Sequence, residues 1–233
     1  MRKNWTLLAL AMTATLLAGC SKQEDAASAT PEPAASTAPV ATSESDATAG
    51  PEAAPAAEAA AATAADFDIT SLPVSTTELP DWPYVALPAG YEFDDADDLG
   101  KRSKDLARVP VWTGSQLLWV EGKVFSDNID NSDGKTYSKF EVRKNIQQAV
   151  EALGGVRLGE RSFDNAVYKA NEKAVDDFRQ EFSRIRDAYW YDSDADTYVI
   201  HRADKAIWVV FQSGNNQGAL MVAEGPLPEA PAK

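Results

Sequence analysis

The sequence predicts an α+β domain: two amphipathic helices packed on one face of a mostly antiparallel sheet, preceded by a signal peptide and a disordered linker. Three observations lead there. A run behind Ser138 repeats apolar residues at helical spacing, and a second run does so as far as Tyr189. From Thr197 onward the chain is rich in β-branched and aromatic residues broken only by two short turns. In the order β-α-β-α-β-β-β, such elements form helices laid on an antiparallel sheet.

The chain opens with Arg2 and Lys3 ahead of an apolar stretch from Thr6 to Gly19. A positive start followed by a short apolar run is the layout of an export signal, too short for a permanent span. The stretch ends in Leu17-Ala18-Gly19-Cys20, which resembles the bacterial lipobox. Small Ala18 and Gly19 suit a narrow peptidase cleft, and Leu17 suits a membrane-embedded one. The resemblance implies that Cys20 is acylated on sulfur and, once the 1–19 signal is cut away, on its new amine. Ser21, where Asp would signal retention, implies delivery to the outer membrane. The competing reading is an ordinary secreted protein with a chance cysteine at the cut. Cys20 is the sole cysteine, so lipidation leaves no thiol for a disulfide, a zinc site or a nucleophile. Several acyl chains on one residue give stable anchoring where one chain would not.

Residues 20–66 read as a disordered tether. Between 21 and 65 there are 19 Ala, one larger aliphatic (Val40) and no aromatic, so nothing there can build a core. As a flexible coil this stretch reaches roughly 35–40 Å. Composition changes at "DFDITSLP", and a single domain is expected from 67 to 225, about 160 residues and ample for one core. Residues 226–233, "GPLPEAPAK" without its first glycine, read as a disordered tail. The formal net charge of −14 argues against nucleic acid and against electrostatic attraction to anionic lipid.

Within the domain, the stretch through "LPDWPYVALPAGYEFDDADDLG" reads as extended segments and turns. "QLLWVEGKVFS" reads as a strand and "DNIDNSDG" as the turn after it. Ser138 and Glu141 offer a capping box, each side chain able to reach the other's backbone N–H. Val142, Ile146, Ala149, Val150 and Leu153 follow at helical spacing, and Gly154-Gly155 stops the run. "VRLGERSF" reads as a strand. The second helix carries Ala174, Val175, Phe178, Phe182, Ile185 and Tyr189 on one stripe. "TYVIHRADKAIWVVFQSG" reads as two strands joined at Asp204-Lys205, with "GALMVAE" as a third after "SGNNQG".

Several of these motifs, in this order, resemble the periplasmic N-terminal domain that precedes the peptidoglycan-binding module of OmpA-family outer-membrane proteins. They are Pro88, Gly90 and Tyr91; the Val120-Glu121-Gly122-Lys123 strand; Ser138, Glu141, Val142 and Asn145; Gly154 and Gly155; and Trp208 to Phe211. The resemblance covers most of residues 84–225 and implies an envelope lipoprotein carrying the accessory domain. In that family peptidoglycan is held by a later module, through an Asp and an Arg that grip diaminopimelate. No stretch of this sequence matches that module, so direct peptidoglycan binding is not implied.

Candidates for chemistry are few. His201, the sole histidine, reads as a half-exposed strand residue, and neither G-x-S-x-G nor H-E-x-x-H occurs. Asp192, Asp194 and Asp196 alternate like the start of a calcium loop, but Thr197 and Ala203 stand where its glycine and its glutamate belong. Aligning Gly134 of "DNIDNSDG" to the glycine place puts Ile129 first, which fails likewise. Asp94, Asp95, Asp97 and Asp98 could pair for glycosidic acid-base chemistry, although four crowded acids read as a solvated loop. Trp82, Tyr84, Tyr91, Trp112 and Trp119 could line a groove for glycan or peptide, or simply supply core. The sequence thus predicts no catalytic residue, no metal and no cofactor. It predicts a non-enzymatic periplasmic interaction domain on an outer-membrane lipoprotein, with an envelope protein as partner. The alternatives are an envelope hydrolase using acidic residues and a small-ligand or calcium-binding lipoprotein.

Overall fold

Ser138 and Gly154-Gly155 bracket a helix as expected, and the sheet assembles around it. The computed structural model describes residues 66–230. Helix α1 (Lys139–Ala152) starts where the Ser138 hydroxyl accepts the Glu141 N–H at 3.3 Å. The return half of the expected capping box is replaced by a relay. Ser138 N–H donates to the Tyr91 hydroxyl at 3.0 Å, and that hydroxyl donates to the Glu141 carboxylate at 3.1 Å. At the other end Gly154 takes φ +79°, the left-handed conformation that glycine alone adopts freely. Its N–H donates to Glu151 and that of Gly155 to Val150, closing the last turn.

Seven strands form one antiparallel sheet. Strands β1 (Tyr91–Phe93) and β2 (Ser103–Trp112) both pair along one side of β3 (Leu117–Asn131). Beyond β3 come β7 (Gly218–Gly225), β6 (Ala206–Ser213), β5 (Asp194–His201) and, at the far edge, β4 (Val156–Arg161). The β5–β6 and β6–β7 hairpins turn at the predicted places, closed by Arg202 N–H to the Lys205 carbonyl and Gly214 N–H to the Gln217 carbonyl. Gly122, in the Val-Glu-Gly-Lys stretch, sits where β3 crosses β7 so closely that a Cβ would stand 1.9 Å from the Glu224 carbonyl oxygen.

Helix α2 (Asn165–Glu181) is capped by Asp164, whose side chain accepts the Val167 N–H. It begins before the expected stripe and ends inside it, because Phe182 leaves helical geometry at φ −109°, ψ 59°. A short 3₁₀ turn at Arg186–Tyr189 carries the stripe onward. Val175, Phe178, Phe182, Ile185 and Tyr189 are buried as predicted, whereas Ala174 is exposed.

The α+β class and the antiparallel sheet are as predicted; the placement of both helices on one face is corrected. Val142, Ile146 and Val150 of α1 pack with Tyr198, Ile200 and Val209. Tyr168, Val175 and Phe178 of α2 pack with Val199, Trp208 and Val210. Neighbouring residues of β5 and β6 thus alternate between two cores, so the helices lie on opposite faces. The physical reason is that β6 and β7 are apolar at almost every position and need cover on both sides.

Three further expectations change. Ser103–Trp112, to which no element was assigned, is a strand paired with β3 alone, an edge position where Pro110, which has no N–H, is tolerated. The predicted turn "DNIDNSDG" is strand as far as Asn131, because Asp127–Ile129 pair with β7 and Ile129–Asn131 with β1. Past Gly225, Leu227 packs against the α2-side core, so the tail expected to be disordered starts with an ordered segment. No helix among the described residues is long and apolar enough to cross a membrane.

Candidate functional site

Leu17, Ala18, Gly19, Cys20 and Ser21 lie outside the described residues, as does the expected tether except its last residue, Asp66. Within the domain, several of the groups singled out for chemistry are engaged in holding the fold, whereas Asp97, Asp98 and Asp192 are exposed. Asp194 and Asp196 lie in β5, not in a loop. The Asp196 carboxylate, 2% exposed, is gripped by Arg143 through two bonds of 2.6 and 2.7 Å and approached by Arg157 at 3.8 Å. Glu160, itself exposed, joins both arginines, so α1, β4 and β5 share one charge network that runs from buried Asp196 to the surface. Lys139 hydrogen-bonds Asp194 and holds its carboxyl below the usual carboxylate range. His201 is buried where a half-exposed position was expected, and its Nδ1 lies 3.0 Å from the Leu72 carbonyl. It ties the incoming chain to β5.

The acidic stretch expected as a loop is mostly a 3₁₀ turn, Ala96–Arg102. Asp94, Asp97 and Asp98 are exposed, but Asp95 reaches inward. Its backbone N–H donates to the Asp127 carboxylate at 2.9 Å, and its own carboxylate pairs with Arg102. Asp127 is fully buried, and burial pushes its carboxyl above the ordinary range. Asp130 is raised too, by burial and by Asp94. Oxygens of Asp94, Asp95 and Asp127 lie within 4.8 Å of one another, a spacing a cation could use. Arg102, 3.4 Å from Asp127, and Arg184, 2.6 Å from Asp94, already supply positive charge there. The arrangement pins the 3₁₀ turn to β3, and no substrate can reach Asp127 without opening the fold.

Of the five aromatics proposed for a groove, Tyr91 is buried and the other four are half-buried. Trp82 packs edge-on to Tyr84 at 5.1 Å and donates to Ser103, and Trp112 packs edge-on to Phe163. The exposed aromatics are others: besides Phe140 on α1, at 75%, they include the neighbours Trp190 and Tyr191, at 43% and 38%. They stack at 5.3 Å, with the Arg179 guanidinium over Trp190 at 4.4 Å. The sequence reading passed over this pair because it follows a helical stripe without continuing it.

The concave feature of most interest lies on the α2 side, between the two ends of the described chain. It is a cavity of about 460 Å³, walled by Phe67, Leu118, Trp119, Trp208 and Leu227. Phe67 packs against Trp208 with ring centres 5.7 Å apart. Trp119, from the predicted aromatic set, is the one member that reaches this cavity. Its polar rim carries Asp66, Glu121 and Glu229. Arg108 pairs with Glu121 at 3.4 Å and lies over the Trp119 ring at 4.7 Å. This size and make-up, apolar walls with a few convergent polar groups, fits a small ligand. No single motif marks the site: Val120, Glu121 and Trp208 fall in two separate stretches noted in the sequence, and Phe67 and Leu227 fall in neither.

Compared with known proteins, the sequence matches no family model, and no curated protein matches it significantly.

Proposed function

We propose that the chain is a lipoprotein of the outer membrane, cut after Leu17-Ala18-Gly19 and anchored through acylated Cys20. Its domain stands in the periplasm as a non-enzymatic binding module akin to the accessory domain of OmpA-family proteins. The observation that carries the binding reading is the state of the ionisable groups: Asp196, Asp194, Asp95 and Asp94 each hold a cation of this chain, and His201 holds a backbone carbonyl. Groups committed to holding the fold serve a scaffold better than a proton-transfer cycle, which needs an acid within reach of substrate. The anchor rests on the lipobox resemblance and on the positive, then apolar, run before it.

Labelling cells with a palmitate analogue, together with in-cell crosslinking, tests both parts. The wild-type chain should take up label, sediment with outer membrane and crosslink to one enriched envelope partner. Cys20→Ala should lose label and sedimentation. Unchanged labelling of that variant would overturn the anchor, and crosslinks spread over chance neighbours would overturn the module.

A further inference from the structure

We propose that the cavity between Phe67 and Leu227 binds a small amphipathic cation, an apolar chain or ring bearing one positive group. This rests on reading the domain as a binding module and is independent of the anchor. The walls supply the apolar half. Phe67, Leu118, Trp208 and Leu227 surround about 460 Å³, inside the roughly 300–1,000 Å³ range of small-ligand sites. The rim supplies the charge preference. Asp66 and Glu229 are exposed, face the same mouth from opposite ends of the described residues, and pair with no cation among those residues.

The rim also shows the recognition at work within the chain. Arg108 lays its guanidinium over Trp119 and pairs with Glu121, an aromatic face and a carboxylate serving one cation together. A ligand whose positive group sits by Asp66 and Glu229, with its apolar body against Phe67, Leu118 and Leu227, repeats that arrangement at the same mouth, with Trp208 buried behind Phe67. A fatty acid would bring a carboxylate to an acidic rim. A second copy of this chain would bring its own charge of −14. Charge therefore selects the cationic amphiphile among apolar occupants.

The test uses the full chain carrying Cys20→Ala, which keeps it free of acyl chains and detergent. Decyltrimethylammonium and decanoate, both below their micelle concentrations, are titrated against it by calorimetry and by tryptophan emission. The cation should bind one to one and at least about tenfold more tightly than decanoate, the equivalent of ~1.4 kcal/mol. In Asp66→Asn/Glu229→Gln, two exposed changes that leave the core untouched, that preference should disappear. Equal binding of both probes, an unchanged preference in the double variant, or no binding would each overturn the proposal. If decyltrimethylammonium fails while the anchored chain still crosslinks to one partner, the binding-module reading stands and only the ligand class falls.

Discussion

The two faces of the sheet are finished differently. On the α1 face, charge and packing are closed upon themselves: Asp196 is enclosed by Arg143 and Arg157, Tyr91 bridges Ser138 and Glu141, and α1 sinks Val142, Ile146 and Val150 into the core. On the α2 face the core is just as apolar, yet beyond α2 it ends in a cavity whose rim acids look outward. The difference teaches that one face commits its polar groups to the fold, while the face with room for a ligand gathers its walls from segments that no single motif spans.

That contrast can be broken most directly at Asp196. Removing the buried carboxylate that holds Arg143 by two hydrogen bonds leaves two partly exposed arginines without their partner, and Asp196→Ala should cost about 1–3 kcal/mol in denaturant unfolding. A loss comparable to that of an exposed ion pair would mean the α1 face is no more closed than the other.

Asp127, on the same face as Phe125 and Ile129, sharpens the contrast through pH. Burial raises its folded pKa despite Arg102 and Arg184, so the folded state holds this proton more tightly than the unfolded chain does. The group's contribution therefore declines as pH rises from the unfolded carboxylate's value, about 3.9, to the raised folded one, and stays low above it. Asp127→Asn has no such proton to lose. Subtracting the variant's stability from the wild type's should give a difference that falls with rising pH across that window; a rising or flat difference would show that Arg102 outweighs burial.

The smallest effect belongs to the cavity. Leu227→Ala, at a half-buried position beside open space, should cost under about 1 kcal/mol, against the 2–5 typical of a fully packed leucine. A thermal melt showing the larger loss would mean the tail closes the core there and does not merely border the cavity.

Much of the fold was legible where local chemistry decides alone. The Ser138 cap, the Gly154 stop and the two hairpin turns need only neighbours in sequence. What escaped depended on partners far along the chain. Asp127–Asn131 reads as a turn because its residues are polar, and becomes strand because β7 and β1 flank it. Ser103–Trp112 hides behind Pro110, which an edge strand tolerates. The one-face arrangement failed although a signal against it was present: unbroken runs such as "AIWVVF" and "ALMVA" announce strands covered on both sides. For the site, Trp119, Val120, Glu121 and Trp208 were singled out for other reasons; Phe67 and Leu227 carry no signal until the topology brings them to the same cavity.

The meeting of Asp66 and Glu229 at one cavity also says something about the chain as a path. A walk that starts at the mouth passes through seven strands and two helices and returns to the mouth, so the domain is topologically close to a ring. In such a ring the sheet's spatial order, and not the point at which the ring is cut, defines the architecture. Opening the ring at the 214–217 hairpin, with the segments at 66 and 229 joined across the mouth, would leave every strand with the same neighbours.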